Sequence, residues 1–288
     1  MLRGTGFDSG SDAGLITSCL AAFLPTLVLM GLWVGAGERR PLWTLGFRSA
    51  SPVRTAFLGA GTALAFLVLL SVAGSVVGRS GQGDDDTGSP ALGVGLLLLV
   101  AFAVQASTEE VVFRGFLLPR FAARWGVTVG VLGSSALFAA AHMINLRAPS
   151  TYIAMTFLLG VALALWALAD GALWRTCVFH TVWNWLPHLL GGSDDGTVAE
   201  ATTATTVASF AVLALVVLGA LWSFRRSPRG RTGPARPSGG ASLSGETAPA
   251  PAPERGGSVA VPRMPLVFSA SPCESPCDLR GTSRLRVT

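Results

Sequence analysis

Long apolar runs separated by short polar breaks dominate the chain from about residue 14 to residue 225. Runs near 14–36, 55–78, 92–117, 129–147, 151–169, 173–190 and 202–224 each approach the ~20 residues a helix needs to cross ~30 Å of hydrocarbon. Only helices and closed barrels satisfy their own backbone polar groups in lipid, and these lengths predict helices. The expected fold is therefore all-α: a polytopic transmembrane bundle of about seven spans, one domain over 14–225 with its motif core at 90–190. The fourth and sixth runs are shorter and more polar than the rest. The first exceeds the apolar core of a signal peptide and is followed by Glu38-Arg39-Arg40, a stop-transfer flank, so a retained span is expected.

Composition agrees with the pattern. Mean hydropathy is +0.55, and 50% of residues are apolar against 13% charged, which excludes an ordinary soluble domain. Residues 1–13 read as a flexible N-terminus and Gly81–Pro90 as an acidic loop. From 226 to 288 the chain is rich in Pro, Gly, Ser and Arg without apolar periodicity, the signature of a disordered basic tail. That tail outweighs the net charge of +5: from residue 225 onward there are ten Arg and four acids. All 21 basic residues are Arg. A GC-rich coding bias explains this more simply than phosphate recognition, so a bacterial plasma membrane and no nucleic-acid partner are expected. Arg39, Arg40, Arg48 and Arg54, then Arg120 and Arg124, then Arg175 fill alternate loops, with Asp84–Asp86 and Asp194, Asp195 and Glu200 in the others. By the positive-inside rule this predicts an outside N-terminus and a cytoplasmic tail, with Arg79 and Arg147 against the trend. Cys19 and Cys177 fall within spans, where small apolar packing is their usual role. Cys273-x3-Cys277 lacks a second ligand pair for zinc. Gly126-x3-Gly130 allows close helix approach, although Gly is abundant enough for chance to explain it.

Ionisable residues inside apolar runs change the picture from a bundle to a bundle with a site. A charge at mid-membrane costs ~2.5–3.5 kcal/mol on insertion scales and persists where it faces protein or a water cavity and finds a partner. Glu110 and Arg114 are four apart, so they share a helix face and pair, while Glu109 points elsewhere and stays free. Two neighbouring carboxylates thereby acquire different environments, which separates acid from base roles. His142 lies four residues after Phe138, and His180 four before Asn184. His188, after Pro187, reads as interfacial. Each has a plainer reading: a solvated helix end, a packed histidine, an interhelical hydrogen bond. Three such accidents on neighbouring helices are together much less economical than one buried polar site.

Two chemistries fit that site. Glu109, His142 and His180 supply one carboxylate and two imidazoles, the ligand count of a catalytic Zn²⁺ with an open position for water. Alternatively, Glu109 polarises water directly with His142 as partner, while His180 and Asn184 stabilise an oxyanion. The soluble His-Glu-x2-His arrangement is absent. Cys177, one turn before His180, has little besides that histidine to activate it as a nucleophile.

In order and spacing, Glu109-Glu110-x3-Arg114, Phe138-x3-His142 and His180-x3-Asn184 resemble the CPBP intramembrane proteases, the type II CAAX prenyl endopeptidases and Abi-like proteins. The resemblance covers roughly 90–190. It implies a membrane endopeptidase whose first Glu and first His activate water, with the last His and Asn binding the oxyanion or assisting a metal. Glu110, Arg114 and Phe138 would support them. The implied substrate is a membrane-anchored protein or peptide. A proton-coupled transporter is the runner-up, since Glu/His chains also relay protons, but no repeated halves are visible. A non-catalytic immunity or binding protein is the third. One shared site also demands a shared depth: the third helix should extend to about Pro119 and the fourth should start nearer Gly133.

Overall fold

The computed structural model describes residues 11–77, 90–145, 148–190 and 202–228. The N-terminus to residue 10, the acidic loop except Pro90, Arg79, Arg147, Asp194, Asp195, Glu200 and the tail from 229 with Cys273 and Cys277 lie outside the described residues. Every regular element among them is helical. Helix α1 is Asp12–Leu32, opened by Ser11, whose hydroxyl accepts the Gly14 N–H at 3.2 Å, and prolonged by a π-helical stretch at Trp33–Gly37. Helix α2, Pro52–Val76, starts on a proline, whose fixed φ and missing N–H suit a first turn. Helix α3, Leu92–Glu110, runs through a π-helical stretch, Val111–Leu117, into α4, Leu118–Trp125. Then follow α5 Val127–His142, α6 Ser150–Asp170, α7 Trp174–Leu189 and α8 Thr203–Arg226.

Five rods are long and apolar enough to cross a membrane: Asp12–Gly37, Pro52–Val76, Leu92–Trp125, Ser150–Asp170 and Thr203–Arg226. The fourth and sixth apolar runs are helical but only 16 residues each, roughly 24 Å at 1.5 Å per residue. The expected seven spans are thus five full-length rods and two short helices. Both short helices are set among others and bury polar residues there, Ser134 and Ser135 in α5 and Thr176, His180 and Thr181 in α7.

The third rod extends even beyond Pro119, to Trp125. The expected start of the fourth helix near Gly133 is corrected: α5 resumes at Val127. Gly126 makes this possible, because its φ of 89° is a conformation only glycine adopts without strain. The chain reverses in that single residue and α5 folds back on α4, with Gly130 facing Ala122.

α3 and α7 pack together at the centre, with α1 against α3, α2 against α7, and α6 between α5 and α8. The main core gathers Phe66, Val111, Leu163, Trp166, Leu173 and Phe179, among others. A smaller cluster joins Cys19, Leu98, Ala101 and Phe102 to Trp185. Cys19 and Cys177 are buried free thiols, in the packing role expected of them. The loop after the first rod tucks under the centre: the Leu173 N–H donates to Gly46 O at 2.8 Å, and Trp174 Nε1 to Phe47 O at 3.1 Å. That tuck needs Gly115, where a Cβ would stand 2.3 Å from the Leu45 carbonyl oxygen.

Candidate active site

The polar residues meet where α3 gives way to its π-helical stretch. Glu109 is 17 residues after Leu92 and 16 before Trp125, at the midpoint of the longest rod. A π-helical turn in a long helix shifts the register of side chains and often accompanies a functional site. Here it begins directly after the carboxylate pair and carries Arg114.

The lower half of the site is a closed ion-pair network. Glu110 and Arg114 are both 0% exposed, and Arg114 Nη1 donates to Glu110 Oε1 at 2.7 Å. This is the predicted pairing. A second guanidinium nitrogen donates to the Gly160 carbonyl of α6 at 3.3 Å, and the guanidinium lies 4.2 Å from the Phe138 ring centroid. Further hydrogen bonds of this kind offset part of the cost of burying such a pair. His180 Nδ1 lies 3.2 Å from the same Glu110 oxygen. A carboxylate only accepts, so Nδ1 carries the hydrogen and the other ring nitrogen is turned outward.

The upper half holds Glu109. His180 Nε2 lies 3.7 Å from Glu109 Oε2, with Glu109 8% and His180 3% exposed. The other Glu109 oxygen accepts from Gln105 Nε2 at 3.4 Å. Glu109 Oε2, Glu110 Oε2 and Arg114 Nε are buried without a protein hydrogen-bond partner. Buried polar atoms of this kind are normally satisfied by water or ligand.

His142 ends α5, half-buried, with Nδ1 2.8 Å from Phe138 O. The carbonyl fixes the hydrogen on Nδ1 and leaves a lone pair on Nε2. The Phe138 ring links it to the network: centroids are 4.7 Å from His142 and 5.9 Å from His180, both edge-on. No ion pair joins His142 to Glu109; the imidazole beside that carboxylate is His180. Asn184 is half-buried one turn after His180, on the same side of α7. His188 stacks on Phe102 at 5.1 Å, near the far end of that helix. Two of the three expected zinc donors, Glu109 and His180, are thus adjacent. Among the described residues, however, no three His, Cys, Asp or Glu side chains are gathered closely enough to hold a metal ion.

Phe138, expected to support the site, packs against both histidines and Arg114, while two participants escape a sequence reading: Gln105 and the Gly160 carbonyl. Gln105 had a signal, since it is the polar residue one turn before Glu109 in an otherwise apolar helix. A backbone carbonyl from another helix has none.

Residues 91–186 match the family of type II CAAX prenyl endopeptidase Rce1-like proteins. Over that stretch the chain resembles the type II CAAX prenyl endopeptidases. The match covers about a third of the chain, from the start of α3 into α7, and includes every residue of the site. No curated protein and no solved structure matches the chain. Five helices long and apolar enough to cross a membrane, with this match to a membrane protease family model, make the molecule an integral membrane protein.

Proposed function

We infer that this protein is an intramembrane endopeptidase that hydrolyses a peptide bond in a membrane-anchored, CAAX-type substrate with water activated at Glu109. The observation that carries this reading is the buried, unpartnered Glu109 Oε2 facing His180 Nε2 at 3.7 Å. One water can touch both atoms at ordinary hydrogen-bond distance. A carboxylate there takes the water's proton as the oxygen attacks the carbonyl carbon. The protonated Glu109 then returns that proton to the departing amine. Asn184, one turn on from His180, offers its carboxamide N–H to the forming oxyanion, and a donor at such a position is worth 10²–10³ in rate in other enzymes. His142, with its free Nε2, serves as a second base or orients the substrate from the α5 side.

Glu110 and Arg114 take no proton in this scheme. They hold His180 by its Nδ1, much as a second carboxylate fixes a catalytic imidazole elsewhere. The water is placed directly on Glu109, because the donors that face one another are a carboxylate and one imidazole. Sequestration among apolar helices strengthens each of these interactions.

The test is a comparison of membrane-associated peptides from cells carrying the wild-type chain or Glu109→Gln, read by mass spectrometry. A C-terminal fragment that appears with wild type and disappears with the variant supports the reading. Identical peptide populations in the two would overturn it.

A further inference from the structure

We propose that Gln105 is a positioning residue for Glu109, locked in place by the Cys19 thiol of α1. The inference deepens the peptidase reading and rests on it for its kinetic arm.

Gln105 lies one turn before Glu109 in α3. Its Nε2 is 3.4 Å from Glu109 Oε1, and its Oε1 is 3.6 Å from Cys19 Sγ. A carboxamide presents a donor at one end and an acceptor at the other, and which end faces which neighbour decides what it can do. Both neighbours settle the orientation here. The ionised Glu109 carboxylate accepts only, so it takes the NH₂ end. The Cys19 thiol carries a hydrogen to donate, so it takes the carbonyl end. The amide has no equally good flipped state.

A carboxylate held at one oxygen by a neighbour on its own helix has lost most of its torsional freedom. Its second oxygen is then committed to one direction, and that direction is His180 Nε2. A base restrained in this way attacks from a single geometry, which is where positional catalysis comes from. Cys19 belongs to the small cluster joining α1 to α3, with Leu98, Ala101 and Phe102. Thr108 Oγ1 also reaches across to Phe23 O at 3.2 Å. The first rod therefore takes part in the site through Gln105, although the family match begins only at residue 91.

The experiment uses the purified full chain in phospholipid vesicles, with a farnesylated, fluorophore-labelled CAAX peptide as probe. Variants are Gln105→Leu, Cys19→Ala, Cys19→Ser and Glu109→Gln. A second readout is the infrared carboxylate stretch of Glu109, assigned by difference against Glu109→Gln. We expect Gln105→Leu to lower kcat about ten-fold with KM unchanged and to shift the Glu109 band. Cys19→Ala should move both in the same direction by less, and Cys19→Ser, which keeps a donor, should restore them. A Glu109 band and kcat unmoved by Gln105→Leu, with Glu109→Gln inactive, would overturn the positioning role and leave the peptidase reading standing. Wild-type turnover by Glu109→Gln would overturn the peptidase reading instead. If the probe is not cleaved by wild type, the infrared band alone decides: a shift in Gln105→Leu with recovery in Cys19→Ser supports the contact, and no shift refutes it.

Discussion

Adjacent residues on a helix are turned from one another by about 100°, and this chain uses that turn to give two consecutive carboxylates separate tasks. Glu110 pairs through one oxygen with Arg114 and His180, while Glu109 has no arginine partner among the described residues and turns one oxygen toward the other nitrogen of His180. Removing one half of a buried pair strands the other half, at about 3–5 kcal/mol in soluble proteins. Glu110→Gln is therefore expected to lower the thermal unfolding temperature in detergent markedly. The double variant Glu110→Gln with Arg114→Met should recover much of the loss, because no charge is then left unpaired. A single variant as stable as wild type would refute the pairing as a structural element. This pair was legible in the sequence, since the spacing of four places both side chains on one face whatever the tertiary structure. The partner of Glu109 was not. The sequence reading set His142 beside it as the partner in activating water, and only the packing of α7 against α3 brings His180 to the carboxylate.

At the scale of elements, the site depends on a helix that changes register and on a loop pressed against it. The π-helical stretch was invisible in the sequence because its hydrogen-bond register is decided by contacts from outside, among them the 42–45 turn lodged against Gly115. Gly115→Ala places a methyl group in the space of the Leu45 carbonyl and should sharply reduce folded, monodisperse protein in detergent extracts. Normal yield would show that the turn has room to withdraw.

A second fastening joins the end of the first rod to α4. Glu38, just beyond that rod, pairs with Arg120 and accepts from Arg40 Nη1 at 3.0 Å and Trp33 Nε1 at 3.1 Å. Partial burial alone raises the Glu38 carboxyl, but the Arg120 charge and these hydrogen bonds outweigh it and hold the group below its usual value of 4.5. A carboxylate whose folded value is depressed stabilises the fold above its unfolded value and loses that contribution as pH falls through the folded one. Thermal stability should thus decline below about pH 4.5, and Glu38→Gln should flatten the part of that decline due to this group. A variant with an unchanged pH profile would show that the clasp contributes nothing. In the sequence these arginines read only as loop charges orienting the bundle; their pairing with Glu38 depends on α4 lying beside the end of the first rod.

For the molecule as a whole, apolar run length located every helix except the short α4, because the bilayer dimension constrains length more tightly than it constrains sequence. It did not distinguish rods that cross from helices that stop short. α5 and α7 are apolar enough to read as spans, yet they have only 16 residues each and are packed against other helices. The same enclosure accommodates a carboxyl group halfway along the longest rod, a position costly for it against lipid.

The central claim is that this buried carboxylate performs hydrolysis. The most direct measurement is turnover of a farnesylated CAAX peptide by purified protein in vesicles, wild type beside Glu109→Gln, with both shown to be folded by circular dichroism. The account predicts release of the C-terminal tripeptide by wild type and a loss of at least ~10²-fold in the variant, the scale on which such catalytic groups act. Equal cleavage by two equally folded proteins would contradict it.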